Sequence, residues 1–146
     1  MKQMIETLKQ LQKIRDKSVQ DFTVKLAKQK QIGVGFENNI RSLNMILQKT
    51  SPTAANALSP EALKNINAYK GNLHRVLAWQ EQEKALSRLK EDRIQKDLIG
   101  AACQEKVVSM TLDTQRERLV HEADIRQQKV LDDMASQCWL RQRGVK

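Results

Sequence analysis

The chain has 146 residues, a formal net charge of +9, 40% hydrophobic and 29% charged residues, and only 3% aromatics. Five Gly and two Pro are too few for a β-sandwich or barrel, which places turn residues about every 8–12 positions. Abundant Gln, Lys, Leu, Ala and Glu with little Gly or Pro instead indicates long helices or coiled coil.

The first helical arm is expected over residues 2–49. Its apolar positions are Ile5, Leu8 and Leu11, then Val19, Phe22 and Leu26, then Phe36, Ile40, Leu43 and Leu47. Their steps are mostly three and four, as an amphipathic stripe requires. The stripe lapses near Gln29–Gly35. Gly33 and Gly35 each cost about 1 kcal/mol relative to Ala in a helix, so a kink or soft point is expected there.

A turn is expected over 50–59, in the only segment that holds prolines. Ser59-Pro60-Glu61 then starts a helix, with Ser as N-cap, Pro at the first helical position and an acid in the first turn. The second arm is expected over 60–138, followed by a tail at 139–146. Its stripe reads Ala62, Ile66, Tyr69, Leu73, Val76, Leu86, Leu89, Ile94, Leu98, Ala101, Val108, Leu112, Leu119, Ala123, Val130 and Met134, interrupted by Gln80 and Glu83. So narrow a stripe suits a two-helix seam. A short connection favours antiparallel neighbours. The expected fold is all-α: two long antiparallel helices in a coiled-coil hairpin, the second longer and overhanging.

Folding at about residue 55 would set Leu43 near Ile66–Tyr69 and the N-terminus near residue 109. Residues from about 110 to 138 would then project alone for roughly 40 Å at 1.5 Å per residue, still carrying Leu112, Leu119, Ala123, Val130 and Met134. An isolated helix that buries nothing is marginal in water. The uncovered stripe therefore implies fraying or an external partner.

Converging chemical groups are missing. His74 and His121 are far apart on one arm, and no Cys–His spacing fits zinc. Gly33-Val34-Gly35 has no third Gly and no preceding strand, so no phosphate loop is expected. Glu91/Asp92 and Asp132/Asp133 are adjacent in sequence and point to different helix faces. A hairpin also lacks the concave pocket that catalysis uses. No enzyme activity, metal or cofactor is expected. Cys103 and Cys138 would lie about 50 Å apart on one helix, so two reduced thiols are expected.

No apolar run reaches the length of about 18–20 residues needed to span a membrane, and Met1–Glu6 has no signal-peptide core, which points to the cytoplasm. Excess Lys and Arg interlace with acids, as in Glu81–Lys84, Glu83–Arg88 and Asp92–Lys96, and would attract an acidic partner surface. A nucleic-acid reading is weaker, since there is no long basic run and no aromatic ladder for stacking bases. Trp79 reads either as an outward contact or as a partly buried seam residue. Trp139, with Arg141 and Arg143, reads either as a frayed terminus or as an interface anchor.

These features together resemble the FliJ-type flagellar export proteins, whose injectisome counterparts are the YscO-type stalk proteins. Leu8, Leu11, Ile14, Arg15 and Asp16 match that family's Leu-x-x-Leu-x-x-(Ile/Leu)-Arg-acidic start. Asn39–Ile46 and Asn67–Gln80 resemble its stripes before and after the turn. Ile46 and Thr50 depart from it, standing where the family often has Tyr. The resemblance implies a cytoplasmic protein peripherally associated with the inner membrane through the type III export apparatus. It implies a stalk between the hexameric export ATPase and the export gate's cytosolic domain that also escorts export chaperones. Gate binding would fall on Asn39, Leu43, Ile46, Tyr69, Leu73, Val76 and Gln80. The ATPase ring would meet the opposite end, at Leu8, Leu11, Leu112, Leu119, Val130 and Met134. The alternatives are an injectisome stalk protein or a general cytosolic coiled-coil adaptor or chaperone.

Overall fold

The computed structural model describes residues 2–50 and 59–144. Helix α1 spans Lys2–Lys49 and helix α2 spans Pro60–Gly144. The two pack against each other in antiparallel sense, α2 is the longer, and no strand occurs among the described residues. Residues 51–58 of the expected turn lie outside the described residues. The helices contribute to two compact units, one of residues 1–19 with 101–146 and one of residues 20–100.

In the unit of residues 20–100, burial recurs mainly at alternating steps of three and four, with Ala62 and Glu83 half-buried outside that alternation. On α1 the seam positions are Phe22, Leu26, Gln29, Gly33, Phe36, Ile40, Leu43 and Leu47. On α2 they are Ile66, Lys70, Leu73, Leu77, Gln80, Lys84, Ser87, Glu91, Ile94 and Leu98. This is the heptad geometry of a two-helix seam. The Asn39 amide donates to Gln80 Oε1 at 3.4 Å and the Gln29 amide to Ser87 Oγ at 2.9 Å, which defines the antiparallel register. Counting four residues along each helix from Asn39–Gln80 places Leu43 beside Leu73–Leu77, not beside Ile66–Tyr69. Matching of seam layers decides this register, and the centre of the prolyl segment does not.

Two expectations about the stripe are corrected in this unit. The first concerns the expected lapse in the α1 stripe, where the helix is continuous through Gly33 and Gly35. Gln29 and Gly33 hold seam positions, so the apparent lapse is a change of residue type within one continuous stripe. The second concerns α2, where Tyr69, Val76, Leu86 and Leu89 are exposed, while Gln80, read as an interruption, is buried. A residue one place off the seam is rotated by about 100° on a helix of 3.6 residues per turn, so following apolarity instead of strict spacing leads off the buried face.

The start of α2 follows its sequence signal. Ala62 N–H donates to Ser59 Oγ at 3.4 Å and Leu63 N–H to the Ser59 carbonyl at 3.1 Å. Ser59 thus serves as N-cap, with Pro60 at N1. At the far end of α1, Thr50 closes the last turn by donating from N–H and Oγ1 to the Ile46 carbonyl, at 3.0 and 2.7 Å.

In the other unit, Ile5, Leu8, Gln12, Arg15 and Val19 of α1 meet Ala101, Glu105, Val108, Leu112, Gln115 and Leu119 of α2. Arg15 Nη1 donates to Gln104 Oε1 at 2.7 Å. Leu112 is the most enclosed large side chain, 1% exposed. Cover by α1 therefore reaches Leu119 and Glu122, further along α2 than the expected limit near residue 109. The bare stretch is Ala123–Gly144, about 30 Å at 1.5 Å per residue.

The expected tail is helical as far as Gly144, where α2 ends; residues 145–146 lie outside the described residues. Arg141 and Arg143 occupy its last turn, where cations oppose the negative end of the helix dipole. The Arg143 guanidinium lies over the Trp139 ring, 5.1 Å from its centroid, a cation–π contact one turn apart.

Candidate interaction surfaces

No group of three or more potential metal ligands occurs among the described residues, and no described helix is long and apolar enough to cross a membrane. Among the described residues, two exposed surfaces stand out.

The first surface belongs to the unit of residues 20–100. Of the positions implied for the gate, the structure joins Asn39 to Gln80 through a direct hydrogen bond. Leu43 and Leu73 are half-buried seam neighbours. Ile46, Tyr69 and Val76 are exposed. The set therefore divides by role. The seam members hold α1 against α2, and the outward members are the ones a partner can touch.

Trp79 resolves to the outward reading, 55% exposed. It lines a shallow groove with Arg75, Ala78, Glu81, Gln82 and Ala85. On a helix it falls on the same side of the seam as Tyr69 and Val76, as does exposed Leu86. Strict three-four counting from Leu73 and Leu77 identifies this outer strip, a signal that apolar counting passes over. Also unread in the sequence is the ion-pair cluster across the seam, where Glu37 Oε1 lies 3.8 Å from Lys84 Nζ and 3.9 Å from Arg88 Nη2.

The second surface belongs to the unit of residues 1–19 and 101–146. Leu8 and Leu119 are half-buried in its seam, Leu11 is half-buried beside it, and Leu112 is enclosed. While the helices stay paired, Leu112 is unavailable to any partner. Val130 and Met134 are exposed, at 53% and 58%.

Beyond Glu122 the composition of α2 changes face. The seam positions continue as Arg126, Lys129, Asp133 and Ser136, all polar, and only then Leu140, so over most of this stretch a longer α1 would find little apolar surface to cover. Val120, Ala123, Val130, Leu131, Met134 and Cys138 share one arc whose centre is rotated about 120° from the seam, counting about 100° per residue, while exposed Ile125, Trp139 and Leu140 lie off it. Val120, Val130, Leu131 and Met134 are each more than half exposed. This arc is a separate apolar strip, distinct from the seam that the chain satisfies internally. Cys138 and Cys103 are both exposed free thiols.

A family model described as Flagellar FliJ protein matches residues 4–144, nearly the whole chain and both surfaces. Neither a curated protein nor a solved structure matches the chain.

Proposed function

Because the chain belongs to the flagellar FliJ protein family, we propose that it is the stalk between a hexameric export ATPase and the cytosolic domain of the export gate. Family membership itself makes it a component of the flagellar protein export apparatus, a family whose members are non-catalytic. The finer reading assigns a partner to each surface. The gate takes the outer strip of the unit of residues 20–100 through Ile46, Tyr69 and Val76, while Asn39, Leu43, Leu73 and Gln80 hold the two helices in the geometry that presents them. The ATPase ring takes the bare end of α2 through Val130 and Met134, with Leu8, Leu11, Leu112 and Leu119 clasping its root. Empty export chaperones are escorted as cargo, and the protein works in the cytoplasm against the inner-membrane apparatus.

The observation that supports this reading most is the bare stretch Ala123–Gly144. An isolated helix of about 20 residues with an apolar strip has little stability of its own, so a protein that keeps one gains most by lodging it in another subunit. Val130→Asp and Met134→Asp test the idea without touching the seam. The wild-type chain is expected to bind the export ATPase hexamer and raise its turnover, and each variant is expected to lose both effects while keeping its helix content. A wild-type chain that neither binds nor stimulates the ATPase would overturn the reading.

A further inference from the structure

In the unit of residues 20–100, α2 carries four consecutive polar seam positions, Gln80, Lys84, Ser87 and Glu91. A two-stranded seam normally fills such positions with apolar side chains. Against its Ser87–Glu91 half α1 sets Gln29 and Gly33, whereas the Gln80–Lys84 half faces the apolar Phe36 and Ile40. Ser87 is 4% exposed. Its Oγ and its backbone carbonyl both accept from the Gln29 amide, at 2.9 and 3.3 Å. Apolar residues lie on either side, with Leu26 and Ile94 beyond one end and Phe36, Ile40 and Leu77 toward the other.

We propose that the Ser87–Glu91 half of this run is a built-in opening point, at which α1 and α2 part locally around Gln29–Gly33 and Ser87–Glu91 while the apolar residues on both sides stay closed. The physical basis is the difference between what the layers lose on opening. An apolar layer returns its side chains to water at about 25 cal/mol per Å². The Gln29–Ser87 bonds are exchanged for bonds to water at small net cost, and the half-exposed Glu37 pairs with Lys84 and Arg88 contribute little. Gly33 adds no side chain to the layer, and Gly33 and Gly35 raise the freedom of the parted α1 strand. The same polar groups restore the register on closing, because only one alignment returns Gln29 to Ser87 and Asn39 to Gln80. A buried polar pair that sets register at a cost in stability is the best-attested role for such groups. The device is a point of compliance between two firm clamps. It goes beyond the assembly role proposed above and does not rest on it.

Amide hydrogen exchange of the full chain, read by mass spectrometry on peptic fragments, tests this directly. Fragments covering 27–35 and 81–91 are expected to exchange on the order of tenfold faster than fragments of the two flanking clamps, as a local opening requires. Gln29→Leu combined with Ser87→Leu supplies the missing apolar layer and is expected to bring the segment to the flanking rate. Gly33→Ala is the milder second variant, since its Cβ would meet Ser87 Oγ at an ordinary 3.7 Å, and it is expected to slow exchange in the same fragments. Equal or slower exchange of the segment in the wild-type chain would overturn the proposal, whatever the variants do. So would a segment that stays fast in both variants while circular dichroism shows their helix content intact.

Discussion

Replacing Leu112 by Ala tests the claim that α1 covers α2 this far along. The substitution removes three carbons from a side chain that is 1% exposed. At about 0.8 kcal/mol per buried methylene, the transfer loss is about 2.5 kcal/mol. A cavity contribution adds to this, though two helices relax toward each other more readily than a globular core does, so a total of about 3 kcal/mol is expected within the usual range of about 2–5 for Leu→Ala. Val130→Ala is the matched control. Val130 is 53% exposed, and Ala is the better helix former by roughly half a kcal/mol, so that change is expected to be neutral or slightly stabilising. Urea unfolding followed by far-ultraviolet circular dichroism measures both. If Leu112→Ala costs less than about 1 kcal/mol, or if Val130→Ala costs as much as it does, the register that encloses Leu112 and bares Val130 is wrong.

Gly35→Ala is expected to raise stability by up to about 1 kcal/mol, visible as a higher thermal midpoint, because a Cβ there meets nothing within 4 Å and the helix is continuous. Glu37→Gln is expected to cost under about 1 kcal/mol, and the deficit should vanish in high salt, since the Glu37 side chain is 46% exposed and both pairs are long; a deficit that persists in high salt would mean the carboxylate is held by more than charge. Ser59→Ala is expected to cost about 0.5–1 kcal/mol, the low side of the N-cap range, because the capping bond is 3.4 Å long; denaturant titration reads it. Cys103 and Cys138 are both exposed and should react with a thiol reagent at similar rates without denaturant, whereas a wait for unfolding at either one would show it covered.

How far the fold could be read in advance differs from one residue to the next. Ile5, Leu8, Phe22, Leu26, Phe36, Ile40, Leu43 and Leu47 announce the buried face of α1, because apolar side chains at steps of three and four can share one face only in a helix. Ser59 and Pro60 likewise mark where α2 begins. The seam of α2 between Leu77 and Ile94 is a different matter. Its members Gln80, Lys84, Ser87 and Glu91 are polar, while Val76, Trp79, Leu86 and Leu89 beside them are apolar and exposed. Local hydrophobicity therefore points to the wrong face, and only the facing helix shows which side is buried. Among the positions proposed for gate binding, the same ambiguity made seam residues and outward residues look alike.

Composition and spacing alone were enough for the class of fold, the antiparallel sense, the greater length of α2 and its capped start, because backbone propensity and helical periodicity are local properties. The pairing of Asn39 with Gln80, the enclosure of Leu112, the outward turn of Trp79 and the point where α2 loses its cover depended on tertiary structure. Each is set by which layer of one helix lies opposite which layer of the other, a long-range choice with nearly equivalent alternatives a heptad away. A few buried polar contacts such as Gln29–Ser87 distinguish those alternatives, and their significance emerges only when both helices are in place.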